Sequence, residues 1–126
     1  ILYRTAEMIL FKAEAYAAQD KFDDAITELN RVRSRAKIAP WLGAKDKITV
    51  GQAILAERGR EFWIECKRWP DLLRFHFDGV IDIYQEVPNL KKKADNGIKI
   101  PLYFAITKSE LSLNHNLTQT VGYEKL

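Results

Sequence analysis

Long apolar runs are missing from this 126-residue sequence. Nothing approaches the ~18 consecutive apolar residues of a membrane-spanning helix, and neither a signal peptide nor a lipobox cysteine opens the chain. Cysteine is almost absent: the lone Cys66 excludes an intrachain disulfide and says nearly nothing about compartment. Histidine is scarce too. His76 and His115 stand alone, so no Ser-His-Asp arrangement, Cys-His cluster or phosphate loop can be assembled from sequence neighbours. Charge of one sign is also lacking, because 20 basic and 17 acidic residues are interspersed and leave a net charge of +3. A nucleic-acid reader concentrates its basic residues on one face, whereas the single run here is Lys91-Lys92-Lys93, which reads as part of a solvated polar turn over residues 91–97. No nucleic acid, metal or other cofactor is expected, and no catalytic residue can be named.

What is present is helical periodicity. A hydrophobic content of 47% suffices for a core of its own, and the length points to a single domain over residues 1–126. Leu2, Ala6, Ile9, Ala13, Tyr16 and Ala17 recur at spacings of three and four, which predicts a helix over residues 1–19. Gln19-Asp20-Lys21 breaks it. Phe22, Ala25, Ile26, Leu29, Val32 and Ala36 then repeat the spacing over residues 22–37, so two antiparallel helices joined by a short turn are expected. Small residues at Ala13, Ala17 and Ala25 allow them to approach closely. The hairpin resembles one tetratricopeptide unit closed by Pro40, and one such repeat cannot bury its own faces without neighbours.

After a loop over residues 38–48, Thr49-x-x-Gln52 reads as a capping box opening a long core helix that runs to about Phe75. Stepped at about 100° per residue, Leu55, Gly59, Phe62, Cys66, Trp69 and Leu73 share one narrow stripe, which marks Cys66 as a buried thiol and Trp63 and Trp69 as packing groups. Pro70 should kink or end this helix near Trp69, at a cost of ~3 kcal/mol if uncompensated. Along it, Glu57, Glu61 and Glu65 are like charges four apart, which repel unless cations lie between them. The local candidates are Arg58, Arg60, Lys67, Arg68 and Arg74, with Arg58 to Glu61 and Glu65 to Arg68 spaced as pairs, so a carboxylate–guanidinium network is expected. Replacing Arg68 by Ala should then unpair a carboxylate and destabilise the protein. Beyond it, Val80–Tyr84 could be a short helix or strand, and 98–106 is apolar, β-branched and extended, held by Pro101 to an edge or an isolated arm.

Paired carboxylates invite a metal or glycosidase reading. Helices that bind metal pairs use Glu-x-x-His, however, which neither histidine supplies, and the arginines compete for the carboxylates, so salt bridging is the preferred role. Sugars stack on exposed aromatic rings, and here Trp41, in a loop between Pro40 and Gly43, is the candidate platform, with Tyr84 the second candidate.

The run Glu57-Arg58-x-x-Glu61-x-x-x-Glu65-x-x-Arg68-Trp69-x-Asp71-Leu72-x-Arg74 resembles the signature of the SusD/RagB family, outer-membrane nutrient-binding lipoproteins of the Bacteroidetes. Leu29-Asn30-Arg31-Val32-Arg33-Ser34-Arg35-Ala36 independently resembles a second family segment, and capping or bracing of neighbouring helices is the preferred role of Asn30, Arg33 and Arg35 over direct ligand contact. A third match lies in the tail at Glu110, Leu111, Asn114, Leu117, Gln119, Gly122 and Tyr123, where Ala105 and Thr107 replace two family prolines and Thr120-Val121 a common Asn-Pro. The resemblance implies a mainly α fragment from the C-terminal part of such a protein: a tetratricopeptide-like hairpin, a long core helix and an irregular, extended tail. The start at Ile1-Leu2-Tyr3-Arg4, without Met and already inside a helix, agrees with a fragment. By resemblance the parent is lipid-anchored at the cell surface through a segment outside this chain, binds oligosaccharide or another nutrient without chemistry, and delivers it to a SusC-type TonB-dependent transporter. This part is then mainly scaffold, since the family's glycan site is built by loops elsewhere. An intracellular tetratricopeptide-type interaction module would explain residues 1–40, but neither the Arg68–Arg74 run nor the tail.

Overall fold

Why the first two helices stay together is visible in what they bury. The computed structural model describes residues 4–98 and 100–123. Helix α1 (Thr5–Ala18) turns Ala6, Leu10, Ala13 and Ala17 inward, and α2 (Phe22–Arg35) answers with Ala25, Leu29 and Val32. Only Gln19, Asp20 and Lys21 separate them, with Asp20 in the left-handed conformation (φ 59°), so the helices run antiparallel and pack along their length. Fully buried Ala13 and Ala25 are the small residues that permit this approach. The stripe on α1 is rotated from the expected one: Leu10 is at its centre, Ile9 and Tyr16 are half-buried, and Leu2 lies outside the described residues. Burying a leucine such as Leu10 is worth roughly 1.5–3 kcal/mol.

Helix α3 (Lys47–Glu61) lies against both, contributing Val50, Ile54 and Leu55. Its start corrects the expected capping box. Asp46 is the N-cap, its carboxylate accepting from the Thr49 amide at 2.8 Å, so the helix begins ahead of Thr49. That amide bond holds the Asp46 carboxyl below its ordinary pKa. Gly51 faces Val80, whose Cγ1 would be 2.7 Å from a β-carbon placed there.

The long helix is the main correction. It ends at Glu61, and after a turn through residues 62–67 a separate helix, α4 (Arg68–Phe77), takes over. Ile64 (φ 69°) and Cys66 (φ 56°) make the turn in the left-handed region, although neither is glycine. Pro70 is not the breaker. It occupies the first turn of α4, where a backbone N–H has no helical partner to lose, so the expected penalty does not arise. With the helix broken, Cys66 is exposed instead of buried, Trp63 is 77% exposed, and Trp69 is half-buried.

The chain divides into two compact units, one up to Ile83 and one from Tyr84 onward, with short α5 (Ile83–Glu86) at the division. In the second unit Lys91-Lys92-Lys93 belong to helix α6 (Pro88–Ala94) and not to a polar turn; Pro88 starts it, and the lysines sit in its last turn, where the helix dipole favours cations. The turn comes afterwards, at Gly97 (φ 76°). Among the described residues of 98–106 there is no strand or helix, and Lys99 lies outside the described residues. Helix α7 (Lys108–Leu113) is capped by the Thr107 hydroxyl, which accepts from the Glu110 amide at 3.3 Å. The tail closes on side-chain bonds: Gln119 accepts from the Ile106 amide at 2.8 Å and donates to the Ile106 carbonyl at 3.0 Å, and the Thr120 hydroxyl donates to the Phe104 carbonyl at 2.8 Å.

Candidate functional site

Residues of the first two sequence motifs converge around α3, which packs against α1, α2 and α4. At the centre Arg58 donates from Nε and Nη2 to the two Asp71 oxygens, both at 2.9 Å, with the side chains 1% and 2% exposed. The guanidinium carbon also lies 4.3 Å from the Phe11 ring centroid and 5.1 Å from that of Phe62, so aromatic faces complete its surroundings. Asp71 takes a further bond from Arg74 at 2.9 Å, and Arg74 grips Glu14 of α1 with two bonds at 2.9 and 3.0 Å. Burial works against the Arg74 charge, and Glu14 and Asp71 more than offset it, so its pKa is raised further.

The three carboxylates of α3 and the turn each find cations, chiefly from other helices. Buried Glu57 accepts from Arg33 of α2 at 2.9 Å and from Arg60 at 2.7 Å. Glu61 meets Arg35 at 2.6 Å and Arg4 at 3.1 Å, and Arg4 also reaches Glu65 at 2.6 Å. Lys67 pairs with Glu7 of α1 and lies 3.7 Å from Glu65. The expected network therefore exists, but its wiring differs from the expected Arg58–Glu61 and Glu65–Arg68 pairs. Arg68 donates to the Leu55 carbonyl at 3.0 Å, above Gly59, and meets no carboxylate among the described residues. Arg68→Ala would therefore free the Leu55 carbonyl and not, as expected, unpair a carboxylate. Sequence reasoning also missed Glu7, Glu14 and Arg4. The available signal was that Glu7 and Glu14 are seven apart, on one face of α1.

The α2–α3 loop is pinned to α2. Asn30 uses both ends of its amide on Trp41, accepting from the Trp41 N–H at 2.7 Å and donating to its carbonyl at 3.3 Å, while Arg33 Nε holds the Ala39 carbonyl at 2.9 Å. Trp41 is half-buried, and its indole lies so close over Gly43 that a β-carbon there would fall 2.2 Å from the ring. Tyr84, the other aromatic candidate, is 8% exposed, and its hydroxyl donates to the Ile100 carbonyl at 2.7 Å.

Two clefts border the network. One, of about 570 Å³, is walled by Phe62, Trp63, Ile64 and Cys66 with Arg68 and Lys67; the other, of about 260 Å³, lies by Phe11, Pro70 and Arg74. Among the described residues no group of three or more His, Cys, Asp and Glu side chains could hold a metal ion, and no helix is long and apolar enough to cross a membrane.

Comparison with known proteins bears on this arrangement directly. The chain is 32% identical over 126 residues to the starch-binding protein SusD of Bacteroides thetaiotaomicron, an alignment covering 98% of this chain and 21% of that protein. It thus spans about a fifth of the length of the curated relative it matches. No solved structure matches it significantly. The sequence profile of the SusD family matches residues 1–123, which takes in all three motif segments and the whole ion-pair network, and the chain belongs to that family.

Proposed function

We propose that this chain is the C-terminal scaffold of a nutrient-binding protein of the bacterial cell surface, which captures oligosaccharide and passes it, chemically unchanged, to a SusC-type TonB-dependent transporter. The observation that carries this reading is the alignment of 98% of this chain with about a fifth of a starch-binding protein. The fate of the motif charges agrees with it. Glu57, Glu61, Arg58, Asp71 and Arg74 are all engaged in holding helices together, so none is left to serve as an acid–base pair. In this scheme the lipid anchor and most of the glycan site belong to the parent outside residues 1–126. The contribution proposed for this part is Trp41, a half-buried aromatic whose loop is fixed by Asn30 and Arg33 and whose indole lies against Gly43.

Calorimetric titration of the complete gene product with a panel of neutral and acidic oligosaccharides tests the reading. Binding to one glycan class is the expected result and names the nutrient. Heat changes indistinguishable from dilution across the panel, with the protein folded by circular dichroism, would overturn it.

A further inference from the structure

Near the end of α4 one ring nitrogen meets two backbone groups of opposite character. His76 Nδ1 lies 3.3 Å from the Ile83 amide nitrogen and 3.3 Å from the Ile81 carbonyl oxygen. A bare Nδ1 accepts a hydrogen bond from the Ile83 N–H and offers nothing to a carbonyl. A protonated Nδ1 donates to the Ile81 carbonyl and can no longer accept. The proton on the ring therefore decides which of the two bonds exists.

The local backbone makes that choice consequential. After α4 the chain turns at Gly79 (φ 76°), and the Val80 and Ile81 amides both return to the Phe75 carbonyl, at 2.9 and 3.3 Å. This return brings residues 81–83 alongside the ring, with the Ile81 and Ile83 side chains buried. Ile83 is the first residue of α5, so its N–H has no partner within that helix. It belongs to a residue fully closed to water, where an amide that loses its acceptor is destabilised. The charged neighbour of the ring is Asp82, whose Oδ1 is 3.9 Å from Nδ1, so a carboxylate stands ready to meet an imidazolium. On the side of α3, which packs against α4, Lys47 is already paired with Asp78 at 2.9 Å.

We propose that His76 is a pH-operated latch on residues 81–83: neutral, it holds the Ile83 amide and with it the start of α5; protonated, it turns to the Ile81 carbonyl and releases that amide. Histidine is the side chain whose charge changes between about pH 5 and 8, so mild acidification is enough to open the latch. The bond gained is charge-assisted, which offsets the one lost and lets the ring change partners while the rest of α4 stays folded. The inference concerns a response of the polypeptide to pH and does not depend on which nutrient the parent takes.

Hydrogen exchange of the complete gene product, followed by mass spectrometry in peptides spanning Ile83 and expressed as protection relative to the unstructured rate at each pH, tests it. Protection there should fall several-fold between about pH 8 and about pH 5, while peptides of α1 keep theirs. His76→Asn retains an acceptor close to the Nδ1 position and cannot become a cation, so its protection should stay high throughout. His76→Ala has no acceptor, and its protection should be low at both ends of the range. Protection in the unsubstituted protein that does not change with pH, a fall shared equally by α1, or a fall that persists in His76→Asn would each overturn the inference. The first two comparisons need no variant, so they decide the matter even where a substitution impairs folding.

Discussion

Arg58 and Asp71 are thirteen residues apart, yet they meet through two hydrogen bonds of 2.9 Å in a site almost closed to water. In a continuous helix their α-carbons would stand about 20 Å apart. The pair can form only if the chain reverses between them, and it does so at residues 62–67. Breaking such a pair leaves an uncompensated buried charge, which costs about 3–5 kcal/mol. Asp71→Asn and Arg58→Met should each lower stability by that order in urea unfolding. The double variant with apolar residues of similar volume should lose much less than the sum, since neither charge is then stranded. Additive losses would show that the two residues act separately.

The same turn stores strain at Cys66, whose side chain is exposed and whose φ is 56°. Glycine enters the left-handed region without the β-carbon penalty, and its greater freedom in the unfolded chain offsets part of the gain. Cys66→Gly is expected to raise stability by about 0.5–1 kcal/mol, read as a higher thermal midpoint with an unchanged circular dichroism spectrum. A lower midpoint would mean that the thiol's contacts outweigh the backbone strain.

This turn also marks where the sequence stops being readable. The hairpin and the start of α3 follow from local periodicity and turn residues, so they were legible to within a few positions. The segment Phe62-Trp63-Ile64-Glu65-Cys66 contains no glycine or proline, and its apolar stripe continues smoothly through the break. The reversal is imposed by partners distant in sequence: Asp71 against Arg58, Arg68 against the Leu55 carbonyl, and Lys67 against Glu7. Local periodicity cannot report these. The charges themselves were legible as a network because their spacing and number demanded compensation, whereas the pairings were not, since most cross between helices. Trp41 could be singled out from its loop setting, but the Asn30 amide that fixes it is a tertiary contact. Lys91-Lys92-Lys93 misled in a simpler way: lysine is a good helix former, and Pro88 supplied a start that a charge run alone conceals.

Glu28 makes stability depend on pH. Its carboxylate, on α2, accepts from Lys12 of α1 at 2.7 Å and from Arg31 at 2.6 Å. The Lys12 hydrogen bond is the main influence; with Arg31 it outweighs the opposing effect of burial, and the Glu28 pKa is lowered. A lowered folded-state pKa favours the native state fully above the ordinary glutamate value of about 4.3, and the benefit disappears as pH falls through the lower folded value. Glu28→Gln should therefore destabilise the protein near neutral pH, and the difference from wild type should shrink progressively in acid. The Lys12 pKa is raised, first by the same hydrogen bond, so its contribution persists until strongly alkaline pH. An equal penalty in acid and at neutrality would show that the Glu28 charge is not linked to folding.

Packing of α3 tests a different kind of contact. A β-carbon on Gly51 would come within 2.7 Å of Val80 Cγ1 and 3.0 Å of Cγ2, closer than such atoms approach. Gly51 is in mid-helix, where alanine would otherwise be favoured by roughly 0.5–1 kcal/mol, so intrinsic propensity and packing oppose each other. Overpacking in a filled interior costs about 1–3 kcal/mol and should prevail because Val80 is buried and short, with no flexible end to swing aside. Gly51→Ala is thus expected to lower the urea midpoint. Adding Val80→Ala removes the colliding methyls, so Gly51→Ala should be less harmful, or stabilising, in the Val80→Ala background. A Gly51→Ala variant more stable than wild type with Val80 intact would show that α3 and the Val80 segment can move apart at little cost.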